Sequence, residues 1–268
     1  MTSDDAATQA DSTSGSAVAL QADGLVKRYG GVEALRGANF QVSAGEVVAL
    51  IGDNGAGKST LVKCLSGAEQ PDSGRILLDG KQVVLNTPTA ARKLGVETVY
   101  QDLAVAPDLD PAANLFLGRE LVRKGLAGKL GMLDRTAMRA QAVEHFRRLG
   151  VTLQSADVPI GSLSGGQRQS VAVARAVMWA SKVVFMDEPT AALGVVQRER
   201  VLEVIRRVRD QGIAVVLISH NMPEVLAVAD RIEVLRLGRR VARFTAADAT
   251  LEQLVGAMTG ALSQEGSA

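Results

Sequence analysis

GDNGAGKS, residues 52–59, decides how the rest of the chain is read. It fits G-x-x-x-x-G-K-[ST] and lies between EVVALI (46–51), an apolar run of buried-strand length, and a helical stretch from Lys58 to Leu65. Gly52, Gly55 and Gly57 let the backbone wrap tightly enough for successive N–H groups and the helix N-terminus to face phosphate oxygens, with Asn54 and Ala56 completing the loop. Lys58 is then placed to neutralise the β and γ phosphates, Ser59 to coordinate Mg²⁺ and Thr60 to touch the α phosphate. The stretch predicts a nucleoside triphosphate site on a strand–turn–helix unit. Cys64, within that helix and with no histidine beside it in sequence, reads as a small core residue.

Two more apolar runs, KVVFMD (182–187) and IAVVLIS (213–219), are each followed by helical sequence. That alternation predicts an α/β fold with a central, mostly parallel sheet. Val201, Val204, Ile205 and Val208 form the inner stripe of one helix, with arginines mostly outward. Residues 72–86 and 231–244 each show two short β-rich runs around a glycine-containing turn, so antiparallel strands should border the parallel ones. From about 103 to 162 strand signals vanish, and Met138, Ala142, Phe146 and Leu149 mark one face of a helix capped by Asp134. The expected organisation is a disordered tail (1–17), one domain (18–260) with an α/β core in two parts (18–102 and 163–260) around a helical subdomain (103–162), and a second tail (261–268).

Three side chains follow strands. Asp187 and Glu188, in VVFMDEP (183–189), fall at a strand's C-terminal end, where ligand crevices of open sheets form. Asp187 is suited to hold Mg²⁺ and Glu188 to accept a proton from attacking water. His220 follows IAVVLIS and could donate to the γ phosphate or position Glu188. Gln101, after ETVY, could reach metal or water at the sheet's edge. His145, on an arginine-rich helix with no visible partner, is expected to be a solvated surface group.

The 268 residues, 47% hydrophobic, suffice for a substantial core. Thirty Lys and Arg against 29 Asp and Glu leave a net charge of +1, so no global field points to nucleic acid or an anionic bilayer. A single cysteine excludes an intrachain disulfide. The first 26 residues carry no Lys or Arg and do carry Asp4, Asp5 and Asp11, which argues against a signal peptide. No apolar run approaches the ~20 residues of a membrane helix.

LSGGQRQ (163–169) offers a second glycine pair at a helix start, with Ser164, Gly165, Gly166 and Gln167 at another anion-binding turn. It lies beyond the helical region. If both turns cannot reach one nucleotide, the second can serve a nucleotide held by a neighbouring chain, reciprocally under two-fold symmetry.

GDNGAGKS, Gln101, LSGGQRQ, VVFMDEP and His220, in that order, resemble the ATP-binding cassette (ABC) ATPases over about residues 18–245. The resemblance implies ATP and Mg²⁺ as cofactors, a head-to-tail dimer, and Tyr29 stacked on adenine; from the sequence alone Tyr29 is equally a core residue. YQDLAVAPDLDPAANLFLGRE (100–120) and DEPTAALG (187–194) are further similar to the ATPases of bacterial monosaccharide importers. That implies a peripheral place on the cytoplasmic face of the inner membrane, membrane-embedded permease subunits docked near 102–120, an external sugar-binding protein, and no nucleic acid. Gly194 stands where most of the family has Asp, a feature this sugar subgroup shares. The subgroup often fuses two cassettes, and with one here a homodimer is expected. Alternatives are a non-transport ABC ATPase of DNA repair or translation and a regulatory ATP binder with weak hydrolysis.

Overall fold

A computed structural model describes residues 17–100, 104–153, 157–191 and 193–262. Nearly all of both predicted tails, and Gln101, lie outside them. The chain begins with β1 (Val18–Tyr29) and β2 (Val32–Ser43), then β3 (Val47–Ile51), α1 (Lys58–Leu65), β4 (Ser73–Leu78), β5 (Lys81–Val83), α2 (Pro88–Lys93) and β6 (Val96–Val99). Helices α3 (Pro111–Leu115), α4 (Leu126–Lys129), α5 (Arg135–Leu149) and α6 (Gly165–Trp179) follow, the last after a 3-10 turn at 160–162. Then come β7 (Val183–Asp187), α7 (Val195–Asp210), β8 (Ala214–Ile218), α8 (Met222–Val228), β9 (Arg231–Arg236), β10 (Arg239–Thr245) and α9 (Leu251–Thr259).

The strands form two sheets. A six-stranded sheet has the order β10-β9-β3-β8-β7-β6, parallel except for the edge strand β10. A four-stranded antiparallel sheet, β2-β1-β4-β5, faces it. Strand alternation explains the layering, because successive side chains point to opposite faces. On β7, Val183 and Phe185 join the core shared with the antiparallel sheet and α1, whereas Val184 and Met186 join the core under α6, α7 and the helical region. On β8, Val216 and Ile218 split from Val215 and Leu217 in the same way. With both faces covered, these strands read as unbroken apolar runs. A smaller core places Ile232 and Val234 against α8 and α9.

Both sequence-predicted hairpins are present, as β4–β5 and β9–β10. The inner stripe of α7 is fully buried at Val201, Ile205 and Val208, each contributing about 1.5–3 kcal/mol on leaving water. Between β6 and α6 the described residues hold three helices and one isolated bridge, Val122 to Leu133. Asp134 caps α5 by accepting the N–H of Ala137, and Met138, Ala142, Phe146 and Leu149 are buried. Buried Asn114 on α3 folds the preceding loop around itself, donating to the carbonyls of Ala106, Leu109 and Asp110 and accepting the N–H of Ala106. Trp179, at the end of α6, donates its indole N–H to Leu115 O at 2.9 Å and meets Phe116 edge-on, joining the helical region to α6.

One expectation fails at His145. It is no solvated surface group: the ring is partly buried and its Nε2 donates to Ala174 O at 2.8 Å, tying α5 to α6. Its pattern position is outward on α5, but α6 passes close enough to cover it. Cys64 is buried as expected.

Candidate nucleotide site

The C-terminal ends of β3, β7 and β8, adjacent in the order β3-β8-β7, deliver the phosphate loop, Asp187 with Glu188, and His220 to one edge of the sheet. The loop's glycines answer two physical demands. A Cβ on Gly52 would strike the carbonyl oxygen of Leu235, and one on Gly57 would lie 2.7 Å from Ala34 O, both at positive φ. The turn is thus wedged between β2 and the β9–β10 hairpin, with Gly238 N–H donating to Ala56 O at 2.9 Å. Ala56 is buried, Asn54 and Gly55 are exposed.

Helix α1 begins at Gly57 with no side-chain cap, so the N–H groups of its first turn are open to an anion. Lys58 Nζ folds back onto the loop, donating to Gly52 O at 2.6 Å and Asp53 O at 3.0 Å. Burial lowers its pKa, against the raising effect of Glu188, Asp53 and Asp187. Burial and then the Glu188 charge push Asp187 above the usual carboxylate range, with Lys58 opposing. A divalent cation would relieve that crowding of negative charge. Among the described residues no cluster of three His, Cys, Asp or Glu forms a metal cage. Hard oxygen donors are nevertheless at hand in Asp187 and the exposed Ser59, a sparse set that suits Mg²⁺ retaining waters and phosphate ligands.

Glu188 and His220 meet. The Glu188 carboxylate accepts from His220 Nδ1 at 2.7 Å and from the His220 backbone N–H at 3.1 Å. Glu188 adopts φ of 48°, a left-handed conformation that costs a non-glycine residue about 1 kcal/mol or more. Its own N–H, donating to Ile218 O at 2.9 Å, helps hold it there. The His220 side chain is otherwise largely exposed.

Tyr29 is 42% exposed, which decides against the core alternative. Lys27 Nζ stands 5.5 Å from its ring centroid, and Thr60, at the phosphate loop's end, is close to its hydroxyl.

The LSGGQ turn lies elsewhere in the chain. Ser164 Oγ accepts the N–H of Gln167 at 3.3 Å while Gln167 Oε1 accepts the N–H of Ser164, a capping box that starts α6. The hydroxyl's own hydrogen remains available to an anion. Gly166 has a second reason for lacking a side chain: a Cβ there would lie 2.6 Å from the Gln197 side chain on α7. Its neighbours are α7 and residues 149–152, whereas the phosphate loop packs on Ala34, Leu35 and Leu235.

Phosphate loop, aspartate, glutamate and histidine at the strand ends of this sheet define a nucleoside triphosphatase of the phosphate-loop class. Residues 35–191 match the family model described as ABC transporter. The chain is 54% identical over 244 residues to the fructose import ATP-binding protein FrcA of Rhizobium meliloti, covering 90% of this chain and 94% of that one. It is 43% identical to the xylose/arabinose import ATP-binding protein XylG of Sulfolobus acidocaldarius, covering 87% and 90%. A nucleotide-free ATP-binding cassette from an ABC transporter superimposes with a TM-score of 0.74 at 25% identity, covering 85% of this chain and 91% of that one. The chain belongs to the ABC transporter family, as one of its ATP-binding subunits.

Sequence reasoning missed Glu224, a buried carboxylate that touches the turns carrying both Glu188 and His220. Its only sequence signal is an acid in the first turn of α8, which reads as an ordinary helix-start charge.

Proposed function

We propose that this chain is the ATP-hydrolysing subunit of an ABC importer for a monosaccharide. The observation that carries the hydrolytic half is the Glu188–His220 pair, 2.7 Å apart at the strand ends beside the phosphate loop. Glu188 would take a proton from the attacking water, and His220 would hold that carboxylate in place and offer its other ring nitrogen to the γ phosphate. Lys58 and the N–H groups of α1 would grip the phosphates, and Tyr29 would carry the adenine. Mg²⁺, held by Ser59 and Asp187, with Gln101 reaching metal or water, would supply charge neutralisation across the phosphates. The sugar assignment is supported by the fructose, xylose/arabinose and ribose import proteins among the relatives.

Two copies would sandwich two ATP molecules, the Ser164–Gln167 turn of each closing on the other's nucleotide. Residues 18–260 would act as one ATPase unit, with a helical insert at 103–162 and the permease received near residues 102–120. Among the described residues no helix is long and apolar enough to cross a membrane, which fits a subunit that docks on permeases at the cytoplasmic face and meets the external sugar-binding protein only through them. The test is affinity capture from gently solubilised membranes, followed by hydrolysis assays of the complex with added sugars. A multi-span permease and sugar-dependent stimulation are expected; capture of soluble partners alone, or of nucleic acid, would sink the importer reading.

A further inference from the structure

The Glu188–His220 pair rests on two turns, after β7 and after β8, and the same buried group holds both. Glu224, on the first turn of α8, is 5% exposed. Its Oε2 accepts the hydroxyl of buried Thr190, two residues after Glu188. Its Oε1 accepts from Asn221 Nδ2 at 2.8 Å, one residue after His220. The same Oε1 forms an ion pair with Arg198 on α7, 2.8 Å from its Nε but without hydrogen-bond geometry. Arg198 in turn donates from Nη2 to Leu193 O at 3.2 Å and from its backbone N–H to Gly194 O at 3.0 Å. One carboxylate therefore fixes the glutamate turn, the histidine turn and the loop bearing Gly194.

We propose that Glu224 is a positioning residue for hydrolysis, setting the Glu188–His220 geometry through Thr190 and Asn221 and coupling it to the Gly194 loop through Arg198. The structural alternative is a group that only stabilises the fold. The two differ physically. A fold stabiliser removed lowers the amount of folded protein, and binding and turnover fall together; a positioning group removed displaces Glu188 within a folded site, leaving phosphate binding by the separate loop at Gly52–Lys58 intact. A displacement of order 1 Å at a reacting group lowers turnover by about 100-fold.

The inference rests on the hydrolytic reading of the site. Hydrolysis by the unsubstituted chain tests that reading first: no Glu188-dependent phosphate release there would fail the reading itself. With hydrolysis present, Glu224→Gln keeps the side chain's shape but turns one acceptor oxygen into a donor facing donors. Its kcat should fall about 10- to 100-fold with KM for ATP within about twofold. Thr190→Val, a milder change, should fall in the same direction, and the double variant should lose little more than Glu224→Gln alone, because both act through one contact. The chain has only two histidines, so ring ¹⁵N resonances of each can be followed. In Glu224→Gln the His220 Nδ1 signal should move while His145, on α5, stays as an internal control. Unchanged kcat in both variants, or additive losses with a static His220 signal, would overturn the proposal. If Glu224→Gln does not fold, Thr190→Val alone decides it by the same split.

Discussion

At the scale of single residues, the phosphate loop and the acid pair separate binding from chemistry. Glu188→Gln should cut steady-state phosphate release at least about 100-fold while ATP still binds, as measured by equilibrium titration beside a hydrolysis assay. Parallel loss of ATP binding would contradict the division of labour. Cys64 makes a different prediction. Burial raises its thiol from the usual 9.0 to about 11. A folded-state pKa above the unfolded one gives stability that is fully present below pH 9 and lost as pH rises toward 11, because only the unfolded chain ionises there. Denaturant titrations should therefore show stability falling across pH 9–11, by at most about 2–3 kcal/mol from this group. At pH 8 a thiol reagent should label the native protein only as fast as it opens. Residue identity announced most of the site, because phosphate binding needs glycines and a lysine at fixed spacing. It was silent on Glu224, whose partners Thr190 and Arg198 are brought to it by folding, and on the Gln197 side chain that leaves no room for a Cβ at Gly166.

At the scale of elements, legibility followed periodicity. Strands β3, β7 and β8 were readable because both faces are buried and every residue is apolar except Asp187 at the end of β7. The long strands β1 and β2 were not read from sequence: register shifts at four places in their pairing break the alternation that marks a strand. Helix α7 starts at Gly194 with no side-chain cap, at an ordinary φ of −69°. Gly194→Asp would meet only the far end of the Gln197 side chain and would supply an N-cap and a charge at the helix's positive end. Thermal unfolding should show a gain of about 0.5–1 kcal/mol. The α5–α6 contact is sensitive to pH in the acid range. Burial holds His145 below its usual 6.5, with the Ala174 carbonyl opposing and Arg148 adding to the depression. The neutral ring is the folded form, so its contribution is present above pH 6.5 and is lost as pH falls below it. Once the slower intrinsic exchange at lower pH is divided out, amide protection within Arg135–Leu149 should be weaker at pH 5.5 than at 7.5.

At the scale of the whole molecule, the two glycine turns pack against different neighbours, which is why a second copy enters the proposed cycle. Glu188→Gln chains should elute as dimers in ATP and as monomers without it; monomers in both conditions would remove the shared-site mechanism. The order of elements was readable in outline, since strands alternating with helices leave few arrangements for a parallel sheet. How the helical region seats on that sheet was not, because the seating is made by contacts such as Trp179 to Leu115, Phe116 and Arg119. The chain contains one tryptophan, and it stands on that seam with the Arg119 guanidinium 4.7 Å from its ring centroid. Its emission is thus an optical gauge of the joint alone, without an introduced dye: any tilt of the helical layer that withdraws the cation or wets the indole will register as a change in intensity or colour, in real time, as ATP is added.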